Sequence, residues 1–170
     1  MKRIISVMLA VGIILANSVV LAKEYPQKFW DVSKDHWAFE AVSELSERGI
    51  INGYEDGSFQ PNKAVSRAEW AKMMVDIAGI TTTDDTVWFD DMANHWAIKY
   101  VNAAEKYMPG TNGGYYLPDQ AATREEVTVS LVKICEYDIS YDYYGYLTAF
   151  TDAYEILRNN RPYVNSAIKY

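Results

Sequence analysis

The 170-residue chain has one cysteine and two histidines, and after its first 22 residues it has no long apolar run. With Cys135 alone, no internal disulfide can staple the fold. His36 and His95 are far apart in sequence, and neither has a cysteine or second histidine at ligand spacing, so no zinc-type ligand set is legible. Basic side chains are also scarce. If Lys2 and Arg3 leave with a leader, the 16 basic residues fall to 14 against 23 acidic ones, a net charge of −9. That balance excludes an electrostatic nucleic-acid footprint. An anionic ligand would meet repulsion that salt screens beyond about 8 to 10 Å, so it would have to be held by local contacts.

Residues 1–22, MKRIISVMLAVGIILANSVVLA, place Lys2 and Arg3 before an apolar run and end on small residues, which predicts a secretory signal peptide cleaved after Ala22. Asn17 and Ser18 interrupt the run, which is short of the roughly 20 apolar residues that span a bilayer, and no cysteine follows to carry a lipid. The remaining chain is long enough for one ordinary core.

The sequence repeats itself at a nearly fixed period. Residues 29–79, FWDVSKDHWAFEAVSELSERGIINGYEDGSFQPNKAVSRAEWAKMMVDIAG, return in residues 88–137 and begin again at Phe150. At an offset of 59, Trp88-Phe89-Asp90 and His95-Trp96-Ala97 repeat Phe29-Trp30-Asp31 and His36-Trp37-Ala38. At an offset of 57, Gly114, Pro118 and Thr123-Arg124-Glu125-Glu126 repeat Gly57, Pro61 and Ser66-Arg67-Ala68-Glu69. The resulting organisation is a leader (1–22), repeat 1 (23–87), repeat 2 with a linker rich in Tyr and Asp (88–149), and a truncated repeat 3 (150–170) in which Asn159 replaces the tryptophan.

Within repeat 1, Trp37, Ala41, Val42 and Leu45 predict one apolar stripe of a helix that Gly49 ends. Asn52-Gly53 and Asp56-Gly57 predict turns, flanked by Tyr54 and Phe59 pinning the loop to the core. Ser66 and Glu69 form a capping box that opens a second helix with Trp70, Met73, Met74 and Ile77 on one face, closed by Gly79. Pro109 predicts that the first helix of repeat 2 stops near Met108. Aligned with Ala78, Cys135 reads as a small, inward-facing position, with a reactive thiol as the alternative. The final segment, lacking half of its unit, is expected to pack poorly.

The F-x-D and H-W-A openings, G-I-I-N-G-Y-x-D-G-x-F-x-P, and the S/T-R-A-E box resemble the S-layer homology (SLH) family of bacterial surface-anchoring modules. Repeat 1 carries every part, repeat 2 most of them, and repeat 3 only the opening. The resemblance implies an all-α fold of repeated helix-loop-helix units in a pseudo-threefold bundle with prongs, here with its third unit incomplete. It further implies a secreted, cell-wall or S-layer location and no enzymatic activity. The implied partner is secondary cell-wall polysaccharide ending in pyruvylated N-acetylmannosamine, or a peptidoglycan-linked polymer, bound without a cofactor in grooves between units. Carried over residue by residue, the implied ligand-binding positions are Arg67, Arg124, Asp31, Asp90, Asp152, Trp37, Trp96, Gly57 and Gly114. An alternative is that the chain is the N-terminal fragment of a longer anchored enzyme or S-layer protein.

Each of these residues also has a plainer use. An arginine at a helix start, beside free amides, suits a carboxylate, but it can equally pair with a surface acid. Trp37 and Trp96 could offer sugar platforms, yet their spacing favours core packing. The early aspartates commonly bond loop amides, and the glycines first serve backbone shape. Asp84-Asp85 and Asp90-Asp91 are more simply solvated charge than a glycosidase pair.

Overall fold

A computed structural model of the protein describes residues 23–82, 86, 88–111, 113–139 and 145–169. The leader and Asp84-Asp85 lie outside the described residues. Among the described residues five α-helices carry the fold: α1 (Phe39–Glu47), α2 (Arg67–Ala78), α3 (Ile98–Ala104), α4 (Arg124–Ile134) and α5 (Arg161–Lys169). Two 3-10 turns, Tyr146–Ala149 and Ala153–Glu155, precede α5. Among the described residues extended pairing is limited to one isolated bridge, Ser66 with Ala121, so the architecture is all-α.

Local chemistry sets the helix ends. Both capping boxes form: Ser66 Oγ accepts the Glu69 amide while Glu69 accepts the Ser66 amide, and Thr123 and Glu126 do the same for α4. Gly49 and Gly79 take the left-handed conformation that ends α1 and α2 (φ 73° and 62°). α1 and α3 start without a capping hydroxyl. Instead His36 Nδ1 accepts the Ala38 amide and His95 Nδ1 accepts the Ala97 amide, each at 3.2 Å. These helices therefore begin after the tryptophan, so the expected stripe keeps Val42 and Leu45 on the core but loses Trp37 and Ala41, which are exposed. Phe39 and Val42 face the core, and Trp37 is 91% exposed. On α2 the buried face is Trp70, Ala71, Met74 and Val75, while Ile77 turns outward. α3 ends at Ala104, and one further turn carries the chain to Met108 before Pro109.

The core has two parts. Phe29, Val32, Phe39, Val42, Ile50 and Ile51 close the first unit on itself. The larger part is shared between units: Trp70, Ala71 and Met74 of α2 pack with Met92, Val101 and Tyr116 of the second unit. Trp70 Nε1 also donates to Ser130 Oγ at 2.9 Å, tying α2 to α4.

α4 packs against α5 as α2 packs against α3. Contrary to the expected loose end, α5 is docked. Asn165 is 1% exposed, its Oδ1 accepts the Tyr146 amide at 2.7 Å, and Ser166 Oγ donates to the Asp138 carbonyl. Cys135 is exposed at the C-cap of α4, not inward-facing, because the helix ends there.

Candidate functional site: the cleft between the first two units

Each unit folds its turn back over its opening aromatic. In the first, Phe29 packs on Phe59 with centroids 5.4 Å apart, and in the second Phe89 packs on Tyr116 at 5.5 Å. Gly53 and Gly110 make this possible: a Cβ would lie 2.3 Å from a Phe29 ring carbon at one and 2.2 Å from a Phe89 ring carbon at the other. Gly57 and Gly114 complete the turns in the left-handed region (φ 78° and 82°).

These contacts correct the register of the repeat. Phe29 matches Phe89, so Asp31 matches Asp91, and the Asp90 amide donates to Gly114 O just as the Trp30 amide donates to Gly57 O. Asp31 accepts the Phe59 and Gln60 amides at 2.8 and 2.7 Å, and Asp91 accepts the Tyr116 and Leu117 amides at the same two distances. The early aspartate of the second unit is therefore Asp91, with exposed Asp90 beside it. The second unit is one residue shorter between its opening phenylalanine and its histidine, and Asn94, just before His95, takes φ 59°. Partial burial pushes the Asp31 carboxyl up, but the two amides hold it below the usual carboxylate value. Asp152 is exposed, and its carbonyl accepts the Glu155 amide in a 3-10 turn.

The two arginines stand in opposite surroundings. Arg67 is 6% exposed: Nε donates to Tyr116 O at 2.8 Å, Nη2 donates to Pro109 O at 3.0 Å, and Nη1 pairs with Glu126. Its guanidinium lies 4.8 Å from the Tyr116 ring centroid. Burial pushes Arg67 below its ordinary value and Tyr116 up to about 12, each partner opposing the other's shift. The amides expected to be free are bonded: Arg67 N–H to Gln120 O, Ala68 N–H to Pro118 O, and Glu69 N–H to Ser66 Oγ. The next unit's loop thus seals the α2 N-terminus. Arg124 is exposed at the start of α4, where the neighbouring Glu125 accepts the Leu157 amide and the Asn160 side chain.

A cleft of about 530 Å3 opens between the units. Ile50, Ile51, Phe59 and Met73 form its apolar floor, Tyr54, Lys63 and Glu69 lie along one side, and Trp96 and Val127 reach in from the second unit. Of the nine residues carried over from the sequence, Trp96 alone lines it. The two tryptophans are solvent-facing, not core. Trp96 is 55% exposed and packs near His95 and Tyr100, whereas Trp37 at 91% has no preceding unit beside it among the described residues. Tyr54 hydroxyl donates to Glu69 Oε1 at 3.2 Å and accepts from Lys63 Nζ at 2.8 Å, and the Lys63 ammonium lies 4.4 Å from the Tyr54 ring centroid. Sequence reasoning missed Gly110 and Lys63, read Gly53 only as a turn residue and took Asp91 for solvated charge. Each of the two glycines sits six residues before its folded-back aromatic, Phe59 or Tyr116, a signal present in the repeat at its offset of 57.

Residues 28–71 and 89–128 match the S-layer homology domain. Among similar proteins, an endoglucanase of Bacillus sp. is 28% identical over 80% of this chain and 15% of its own length. A cellulosome-anchoring protein of Acetivibrio thermocellus is 32% identical over 61% of this chain and 25% of its own length. The S-layer protein sap of Bacillus anthracis is 34% identical over 51% of this chain and 11% of its own length. The chain thus spans a quarter or less of these relatives. With both matched segments folded as equivalent helix-loop-helix units, the chain belongs to the S-layer homology domain family.

Proposed function

We propose that this chain is a non-catalytic module that anchors a secreted protein at the bacterial cell surface by holding a wall glycan in the cleft between its first two units. The polymer is secondary cell-wall polysaccharide, with a pyruvylated terminal sugar as its end group, or a peptidoglycan-linked polymer. The observation that carries this reading is Trp96, an aromatic face left 55% exposed at the wall of a cleft large enough for a short saccharide. A sugar's C–H face can lie on the indole while its hydroxyls meet Tyr54, Gln60 and Asn52.

A second reading concerns what is anchored. The relatives include an endoglucanase and an S-layer protein, matched over 15% and 11% of their lengths, which supports a reading of the module as one part of a longer protein. Co-sedimentation with purified wall sacculi tests the anchoring role. Trp96→Ala is expected to weaken binding roughly tenfold, the loss typical of a central aromatic contact, while Trp37→Ala leaves it within about twofold. Equal effects of the two substitutions would overturn the cleft as the site.

A further inference from the structure

We infer that Trp96 is held as the aromatic wall of the cleft by two positioning residues, His95 and Tyr100, neither of which lines the cleft itself. The inference rests on the anchoring role proposed above and adds what fits one tryptophan of the repeat, and not the other, for that role.

The surroundings of the two indoles can be compared position by position, because α1 aligns with α3 at an offset of 59. One restraint is common to both. His36 packs on Trp37 with ring centroids 5.8 Å apart, and His95 packs on Trp96 at 5.6 Å. Each imidazole accepts the amide two residues on through Nδ1, so its proton sits on Nε2 and the backbone sets the rotation of the ring.

Two restraints belong to the second unit alone. Tyr100, four residues after Trp96, lies 6.4 Å from it between centroids at an interplanar angle of 57°, within the range of a tilted aromatic pair. The residue aligned with Tyr100 is Ala41, which is exposed and has no ring to offer Trp37. In addition, His95 Nε2 stands 3.6 Å from Asp119 Oδ1, so the far side of the imidazole also faces a partner. Asn62 follows Pro61 as Asp119 follows Pro118, and His36 makes no ion pair among the described residues.

Tyr100 is itself anchored from across the junction. It is half-buried against the core shared between units, and the Lys72 ammonium of α2 lies 5.8 Å from its ring centroid. Lys72 Nζ is fixed in turn by Asp76 Oδ2 at 2.6 Å and Ile50 O at 3.2 Å. The ring beside Trp96 therefore takes its position from the first unit as well as from its own. An indole already fixed loses less rotamer freedom on binding than one turning in solvent, a difference of about two- to tenfold in affinity for one side chain.

The test uses the full chain, labelled with fluorotryptophan, in fluorine NMR and in co-sedimentation with purified wall sacculi. Trp37→Phe and Trp96→Phe assign the two resonances. The Trp96 resonance is expected to lie away from that of Trp37, displaced by the ring currents of both neighbours. Tyr100→Leu keeps bulk against the core; it should move the Trp96 resonance toward that of Trp37 and weaken binding about two- to tenfold, whereas Tyr100→Phe should preserve both. His95→Asn keeps an acceptor for the Ala97 amide, as Asp56 Oδ1 accepts the Ser58 amide at 2.9 Å, but removes the ring. It should shift the same resonance and weaken binding over the same range. Ala41→Tyr gives the first unit the missing ring and should move the Trp37 resonance without changing binding. A Trp96 resonance that stays in place in Tyr100→Leu and His95→Asn, or that moves while binding holds, overturns the inference and leaves the anchoring role standing. If Trp96→Ala itself binds as wild type does, the cleft reading fails and the inference fails with it.

Discussion

The two junctions begin from the same four-residue box and end differently. At the first, Ser66-Arg67-Ala68-Glu69 is roofed by the loop of the next unit, whose carbonyls from Pro109, Tyr116, Pro118 and Gln120 take both the arginine's donors and the helix amides. At the second, Thr123-Arg124-Glu125-Glu126 meets a short segment with no such loop among the described residues. There Glu125 caps the start of α5 through Asn160 and Leu157, and Arg124 stays in solvent. The box therefore encodes a helix start and a docking socket. Whether its arginine is structural or available depends on the unit that comes after it in the chain.

The largest expected effect separates the two arginines. Arg67→Ala removes three polar contacts and leaves Glu126 without its partner, so it should cost about 3 kcal/mol or more, the scale of breaking a buried pair. Arg124→Ala should change stability by no more than about 0.5 kcal/mol. Arg67→Lys should also destabilise, because an ammonium cannot reach Tyr116 O, Pro109 O and Glu126 together. Chemical denaturation of the three variants measures this. An Arg124 loss equal to that of Arg67 would mean that the second junction is sealed like the first.

Next come the turn glycines. Gly53→Ala places a methyl 2.3 Å from Phe29 and 2.6 Å from the Ser58 carbonyl, and the backbone φ is 71°. Gly57→Ala meets the strain of φ 78° with its nearest neighbour at 3.7 Å, Trp30 Cδ1. Strain alone costs about 1 to 2 kcal/mol. Gly53→Ala should exceed that by roughly another 1 to 3 kcal/mol of overpacking, whereas Gly57→Ala should not. Thermal melts of both, with Gly110→Ala as the second-unit control, check the difference.

How much of this is legible in the sequence depends on how local the cause is. The capping boxes, Gly49 and Gly79 are legible because each acts within one turn of its own helix. The tryptophans mislead because a histidine just ahead of each decides where α1 and α3 begin, which leaves the indole in the preceding turn. The early aspartate is easily misplaced because Asp90 and Asp91 are adjacent. What separates them is Phe89 against Gly110 and Tyr116, contacts that cross more than twenty residues. The cleft is the least legible part. The Lys63 side chain belongs to no capping or turn motif that would mark it, and the cleft wall comes from Trp96, in a different unit.

The smallest effect at neutral pH, and the sharpest probe of the sealed junction, is alkaline titration. Tyr116 is fully buried, its hydroxyl donates to the Arg67 carbonyl at 3.4 Å, and burial raises its ionisation to about 12 from 10.0, with Arg67 pulling the other way. The unfolded chain releases this proton first. The stability tied to Tyr116 is therefore intact below about pH 10 and lost as pH rises toward 12. Tyr116→Phe keeps the ring against Phe89 and Arg67 but removes the proton, so its denaturation midpoint should fall less steeply than that of wild type above pH 10, and the two should nearly coincide at neutral pH. A wild-type slope shared by Tyr116→Phe would mean that the loop over Arg67 opens before the protein unfolds, and that the first junction is no more closed than the second.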